Sequence, residues 1–242
     1  MKPEWVPPPE TAAAARRHAA LGDAHRLSIV EELLLGDRSP AWFAARWSMG
    51  SNLVAHHVAA LVEAGLVERT RSEGDRRRVY LRATEQGRGL LAPRLVRSDR
   101  IVFVCTHNSA RSQFAEALWR ASSAVPATSG GTRPAERVHP LAAQEARRHG
   151  IDLTGARPRP VPAAGLDAAL LVTVCDSADR TTTQPHLHWS VRDPAAIGTP
   201  EAFEAAWDEI ARRIESLAPA LVPQSGPHDQ PASDHPAPKE HP

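Results

Sequence analysis

Apolar positions recur along the first hundred residues with a helical period. In 24–35, AHRLSIVEELLL, residues Leu27, Ile29, Val30, Leu33 and Leu34 share one face, which predicts an amphipathic helix. The Ala-rich stretch 11–21 reads as a helix before it. Ser39-Pro40 supplies a capping hydroxyl and a first-turn proline, so a helix starts there and runs to about Arg46. Met49-Gly50 turns the chain, Ser51 caps a helix through Ala64, and Gly65 stops it. The pattern then changes. Leu66 to Ser72 and Arg77 to Arg82 read as strands around a hairpin turn at Glu73-Gly74-Asp75. Residues 84–97 read as a closing helix that links the two halves of the chain. Helices, a helix–turn–helix and a hairpin make a winged-helix plan.

The second half opens on a different signal. Ile101 to Val104 are apolar and predict a short buried strand that ends on Cys105. Six residues later stands Arg111, then Ser112, and a helical pattern continues through Phe114, Ala115, Leu118 and Trp119. Strand, tight loop and helix N-terminus direct backbone N–H groups and the helix dipole at one point, which suits a tetrahedral oxyanion. Arg111 can clamp two anion oxygens with its planar fork. The same field favours a thiolate at Cys105, so a nucleophile ionised near neutral pH is expected.

The loop Cys105-Thr106-His107-Asn108-Ser109-Ala110-Arg111-Ser112 resembles the Cys-x5-Arg-Ser loop of the low-molecular-weight protein tyrosine phosphatase superfamily, in its arsenate reductase branch. Ser129-Gly130-Gly131-Thr132, His139-Pro140-Leu141-Ala142 and Gly150-Ile151-Asp152-Leu153 resemble later parts of that family. Trp189 followed by Asp193-Pro194 resembles the loop that carries its general acid. The likeness covers roughly residues 99–221. It implies Cys105 as nucleophile, the loop Thr106–Ala110 and Arg111 as the oxyanion cradle, Ser112 as a hydrogen-bond partner of the thiolate, Asn108 as an internal brace and Asp193 as the acid. It also implies Cys175 as the second thiol of thioredoxin-linked reductases. The third cysteine of those enzymes is replaced by Thr182. Reduction of Cys105 therefore falls either to Cys175 or to an external thiol such as thioredoxin, glutaredoxin or mycothiol. Cys175 can equally be a buried core residue. Glu116 matches a family position that helps bind potassium, but the downstream acid is replaced near Arg157-Pro158-Arg159, so no ion is expected. No metal or bound cofactor is expected either.

Leu61–Val67 with the Arg-rich strands after it resembles the arsenical-resistance repressor family, and the Asp75–Arg78 wing also resembles multiple-antibiotic-resistance regulators. The resemblance implies double-stranded DNA as a partner. It would be read by Ser51, Asn52 and His56, with Arg69, Arg71, Arg76, Arg77 and Arg78 of the wing on phosphate. His56 and His57 are adjacent, so one of them should be packed. The helix before the reader, Phe43-Ala44-Ala45-Arg46-Trp47, has no cysteine, which excludes arsenite sensing by a three-cysteine site there. His18, His25, His56 and His57 show no ligand spacing. A winged helix that serves only dimerisation or docking is the alternative.

The expected fold is α/β. It has a winged helix–turn–helix domain over 1–98, a phosphatase-like domain over 99–221 with a parallel sheet flanked by helices, and a disordered tail over 222–242. Charge sharpens the division. Residues 1–98 carry 15 Lys and Arg against 11 Asp and Glu, a net of +4, while residues 99–242 carry 14 against 17, a net of −3. No apolar run approaches the roughly 20 residues needed to cross a bilayer, so a cytoplasmic protein is expected. A homodimer formed through 11–21 and 84–97 is expected for DNA binding. Three functions stay open: an arsenate reductase fused to a regulator, a tyrosine phosphatase with a regulatory head, and a regulator with a non-catalytic oxyanion sensor.

Overall fold

The computed structural model describes residues 5–162, 166, 169–184 and 186–224. The first part builds helices α1 (Pro9–Leu21), α2 (Ala24–Leu33), α3 (Pro40–Arg46) and α4 (Ser51–Glu63). The antiparallel hairpin β1 (Val67–Arg71) and β2 (Val79–Ala83) and the short helix α5 (Glu85–Leu90) come next. Local chemistry sets these boundaries. Asp23 caps α2 by accepting from Arg26 N–H, Ser39 caps α3 through Trp42 N–H, and Gly65 ends α4 at φ +71°. Ile29, Val30, Leu33, Phe43, Val54, Val58 and Leu61 bury the helical faces against Leu66 and Leu81 of the hairpin region.

The closing helix is shorter than its expected span of 84–97. It stops at Leu90, and Leu91 is extended at φ −135°. Gly87 and Gly89 weaken helix propagation, and Pro93 disfavours helical backbone at the residue before it. The chain then enters β3 (Val96–Arg97), which pairs in parallel with β8 (Leu221–Val222). Val222, placed in the expected tail, is thus part of a strand; residues 225–242 of that tail lie outside the described residues.

The second part carries β4 (Ile101–Cys105), α6 (Arg111–Ser122), β5 (Ala127–Gly131), α7 (Pro140–Arg148), β6 (Leu170–Thr173), α8 (Asp176–Thr181), β7 (Leu187–His188), α9 (Pro194–Ile197) and α10 (Pro200–Leu217). The parallel sheet runs β5-β4-β6-β7. All of β4 is buried, as its unbroken apolar run requires of a strand covered on both faces. The strand order reverses direction at β4, which places a crevice at its carboxyl end, where Cys105 stands.

The two parts share a polar seam. Asp37, 1% exposed, pairs with Arg82 at 3.1 Å and Arg213 at 2.8 Å, and both arginines also reach Glu209. Asp37 further accepts Ser190 N–H, and Trp189 Nε1 donates to Leu35 O. Burial alone would raise the Asp37 carboxyl; the charges of Arg213 and Arg82 outweigh it and hold it low. Removing one partner of such a buried cluster costs about 3–5 kcal/mol.

Candidate functional site

The loop after β4 is shaped by what its carbonyls do. Thr106 O accepts Arg133 N–H, His107 O accepts Ala135 N–H, and Ser109 O accepts His139 N–H. With its carbonyls committed outward, the loop turns N–H groups to its interior, as Asn108 N–H does toward Cys105 Sγ at 3.1 Å. Asn108 holds a left-handed φ of +50°, a conformation Asn tolerates better than most residues. Its side-chain amide donates to Ser112 Oγ and Ser129 Oγ, both at 2.8 Å, and its Oδ1 accepts from Gln113 and Arg159 N–H. The neighbouring strand must pass close: a Cβ on Gly131 would stand 2.8 Å from Thr106 O.

Cys105 is buried, with Ser112 Oγ 3.0 Å from its sulfur. Ala110 precedes α6 without capping it by a side chain, so the first N–H groups of α6 remain available to an anion. Arg111, also buried, sends Nη1 to Val191 O at 3.0 Å and Nη2 to Asp193 Oδ2 at 2.8 Å. Asp193 caps α9 by accepting Ala195 N–H, and its own backbone N–H donates to Glu73 Oε2 at 2.8 Å. The residues expected to act as nucleophile, anion clamp and acid are therefore brought together, although 88 positions separate Cys105 from Asp193 in the chain.

Cys175 lies on the neighbouring strand end. Its sulfur is 3.4 Å from Thr106 Oγ1 and accepts Ala178 N–H at 3.4 Å. Burial pushes its thiol up, against the pull of Arg111. A cavity of about 590 Å³ opens over this group, lined by Thr106, Arg111, Cys175 and Asp193, and by Arg71 and Arg76 of the hairpin.

Glu116, the position matched by resemblance to an ion site, is paired with side chains. Arg159 Nη2 meets Glu116 at 2.8 Å, and Ser129 Oγ donates to the same carboxylate at 2.6 Å.

The candidate DNA-reading residues divide. Ser51, Asn52 and His56 are exposed on α4, and His57 is the packed member of its pair. Arg69 and Arg77 face solvent on the hairpin, Arg77 pairing with Asp75. Arg71 and Arg76, though exposed, line the cavity that holds Arg111 and Asp193, and Arg78, also exposed, pairs with Asp179 of α8 at 3.5 Å. Sequence spacing misses two further groups. It marks Glu73 only as a turn residue, because its partner Asp193 is 120 positions away. Asp23, His25 and His57 bring ligand-type atoms within 4.8 Å of one another, with His57 Nδ1 3.5 Å from Asp23. That trio could hold a metal, but it sits between α2 and α4, remote in sequence from the Cys105 loop.

Comparison with known proteins finds two family profiles on separate stretches of the chain. The profile of the low molecular weight phosphotyrosine protein phosphatase family matches residues 100–225, and a winged helix DNA-binding domain profile matches residues 44–87. An arsenate reductase of Brevibacillus brevis is 37% identical over 126 residues, covering 49% of this chain and 92% of that protein. An arsenate reductase of Bacillus anthracis is 36% identical over 132 residues, again 49% of this chain and 92% of the relative. The solved arsenate reductase of Archaeoglobus fulgidus aligns at 32% identity and a TM-score of 0.44, over 49% of this chain and 98% of that one. Among the described residues no helix is long and apolar enough to cross a membrane.

Proposed function

From the premise that this chain belongs to the low molecular weight phosphotyrosine protein phosphatase family, we propose that residues 99–221 reduce arsenate to arsenite and residues 1–98 bind DNA. The observation that carries the reductase reading is Cys175, a second buried thiol lining the same cavity as Arg111 and Asp193 and touching the residue after Cys105. The chemistry of a phosphatase, which ends with water on the phosphocysteine, needs no second thiol.

In this reading the Cys105 thiolate attacks arsenic, and an S–As bond forms. Asp193 passes a proton to the departing oxygen, which leaves as water. Loop N–H groups and Arg111 hold the remaining oxygens. The second thiol, Cys175 or an external one, then attacks the Cys105 sulfur. The S–As bond breaks with its electron pair left on arsenic, which falls from the +5 to the +3 state and departs as arsenite. Two thiols become one disulfide, and an external thiol system restores them.

The test is turnover of arsenate with thioredoxin, glutaredoxin and mycothiol systems side by side, against hydrolysis of an aryl phosphate without thiol. Arsenite release that depends on a thiol donor supports the reading. Hydrolysis alone makes the protein a phosphatase, and oxyanion binding without turnover makes it a sensor. For DNA, we infer that a dimer presents two α4 helices through Ser51, Asn52 and His56. A titration on the protein's own promoter at moderate salt tests it, and absence of sequence-selective binding would leave the winged helix a docking module.

A further inference from the structure

The wing of a winged helix ordinarily reaches outward to nucleic acid. Here its tip is seated on the catalytic half. Glu73 N–H donates to Asp176 Oδ2 at 2.8 Å, Gly74 O accepts Arg180 Nη1 at 2.8 Å, and Tyr80 Oη donates to Asp179 at 2.6 Å. The approach is close enough that a Cβ on Gly74 would stand 3.2 Å from Ser177 Oγ and 3.3 Å from Asp176 Cβ. Glu73 Oε2 accepts the backbone N–H of Asp193 at 2.8 Å, while Oε1 lies 3.5 Å from Arg192 Nε. Arg71 and Arg76 line the same cavity as Arg111, Cys175 and Asp193.

We propose that the wing tip is part of the oxyanion site: Glu73 positions the acid-bearing loop, and Arg71 and Arg76 wall the mouth and restrict substrate to small free oxyanions. This rests on the roles given above to Cys105 and Asp193. A carboxylate so near an anion site is unfavourable unless it does something there; this one faces the Asp193 N–H and Arg192. By holding that N–H, Glu73 fixes the backbone from which the Asp193 carboxyl meets Arg111. In this reading the seated wing tip crowds the approach of the main chain around a phosphotyrosine, while a free arsenate or phosphate is small enough to pass. Two guanidinium groups on that wall add attraction for the free anion, screened by salt.

The first measurement uses binding only and does not depend on which reaction follows. Full-length Cys105→Ser protein is titrated calorimetrically with inorganic arsenate and phosphate. Arg71→Gln with Arg76→Gln is expected to weaken binding about tenfold at low salt and less at high salt. Unchanged affinity would overturn the wall. The second uses turnover of arsenate or of an aryl phosphate, whichever the wild type accepts. Glu73→Ala should lower kcat about ten- to a hundredfold, the scale of a lost hydrogen bond to a charged group, with little change in KM. Glu73→Gln, which keeps an oxygen acceptor, should recover most of it. In an Asp193→Asn background Glu73→Ala should add nothing, because it acts through Asp193. An additive loss, or an unchanged kcat, would overturn the positioning role. The third compares substrates. Wild type should hydrolyse a phosphotyrosyl peptide far less well than a free aryl phosphate, and Gly74→Val, which unseats the tip, should narrow that gap. Equal rates on both substrates in the wild type would overturn the restriction. Failure of arsenate reduction with these outcomes intact would reject the reductase reading and leave the wing in place.

Discussion

Two neighbouring strand ends carry the protein's two cysteines, and they are built differently. Val104 of β4 pairs with Thr173 of β6, and Val174 N–H donates to Val104 O at 2.7 Å. Continuing that register sets Cys105 beside Val174 and Cys175 beside Thr106, in agreement with the 3.4 Å contact between Cys175 Sγ and Thr106 Oγ1. Cys105 opens a loop whose N–H groups face inward, and its sulfur has Asn108 N–H and Ser112 Oγ at 3.1 and 3.0 Å. Cys175 caps the short helix α8 instead, and burial pushes its thiol up. The same residue type at adjacent strand ends therefore meets two environments, which under the proposed reaction suit one sulfur to attack an anion and the other to stay a thiol until the second step. The register also teaches that a Cys105–Cys175 bond requires Cys175 to turn away from Thr106, one residue along.

The comparison breaks most severely at Cys105. Cys105→Ser should abolish arsenate reduction and any phosphatase activity, because every step begins on that sulfur; activity above a few per cent of wild type in a turnover assay would end the assignment. Arg111→Lys should be nearly as damaging, since a point charge cannot replace a fork that reaches both Val191 O and Asp193. Asp193→Asn should slow the chemical step by about 10²–10⁴-fold, read in single-turnover kinetics; an unchanged rate would remove Asp193 as the acid. Cys175→Ala should leave the first chemical step intact and reduce multiple turnover supported by a dithiol protein, whereas normal turnover would make Cys175 a core residue.

The smallest expected effect concerns α8, which Cys175 caps and the wing grips. Burial opposes the charge of Asp179, but hydrogen bonding to His186, the charge of His188 and the Tyr80 hydroxyl hold its carboxyl down to about 2. Asp176 is likewise held low despite burial, by His188, Ser72 and Ser190. Carboxyls lowered in the folded state stabilise it fully above their unfolded value, near 3.8, and lose that contribution as pH falls through the folded value. The wing–α8 seat should therefore weaken between about pH 4 and pH 2. Thermal unfolding at pH 6, 4 and 3 should show a fall that Asp179→Asn reduces by a few degrees. A pH response identical in the variant would mean that Asp179 does not couple the wing to α8.

Much of the site was legible because it is local. Cys105 to Ser112 is one contiguous loop between a strand and a helix; the strand and the Arg111 fork follow from residue chemistry over a dozen positions, and the Asn108 brace from the family resemblance of that loop. The helices of the first half were legible for the same reason, through the start at Ser39, the apolar face of α2 and the stop at Gly65. What escaped the sequence is long-range. Glu73 and Asp193 are 120 positions apart, and Arg82, Asp37 and Arg213 meet across 45 and 176. No local pattern marks Arg71 and Arg76 as lining the cavity that Arg111 and Asp193 also line. Periodicity carries the closing helix past Leu90, where glycines and Pro93 prevail over it. The sequence shows near Arg159 only a missing acid; that its guanidinium meets Glu116 needed the fold.

The most direct test asks whether Cys105 attacks and Cys175 resolves. Full-length protein, reduced and freed of external thiol, is mixed with one equivalent of arsenate, quenched with an alkylating agent and mapped by peptide mass. One arsenite released per chain is expected, together with a Cys105–Cys175 disulfide that is absent in Cys175→Ala. Arsenite formed only with added thiol, with Cys105 found in a mixed disulfide and Cys175 alkylated as a free thiol, would contradict it.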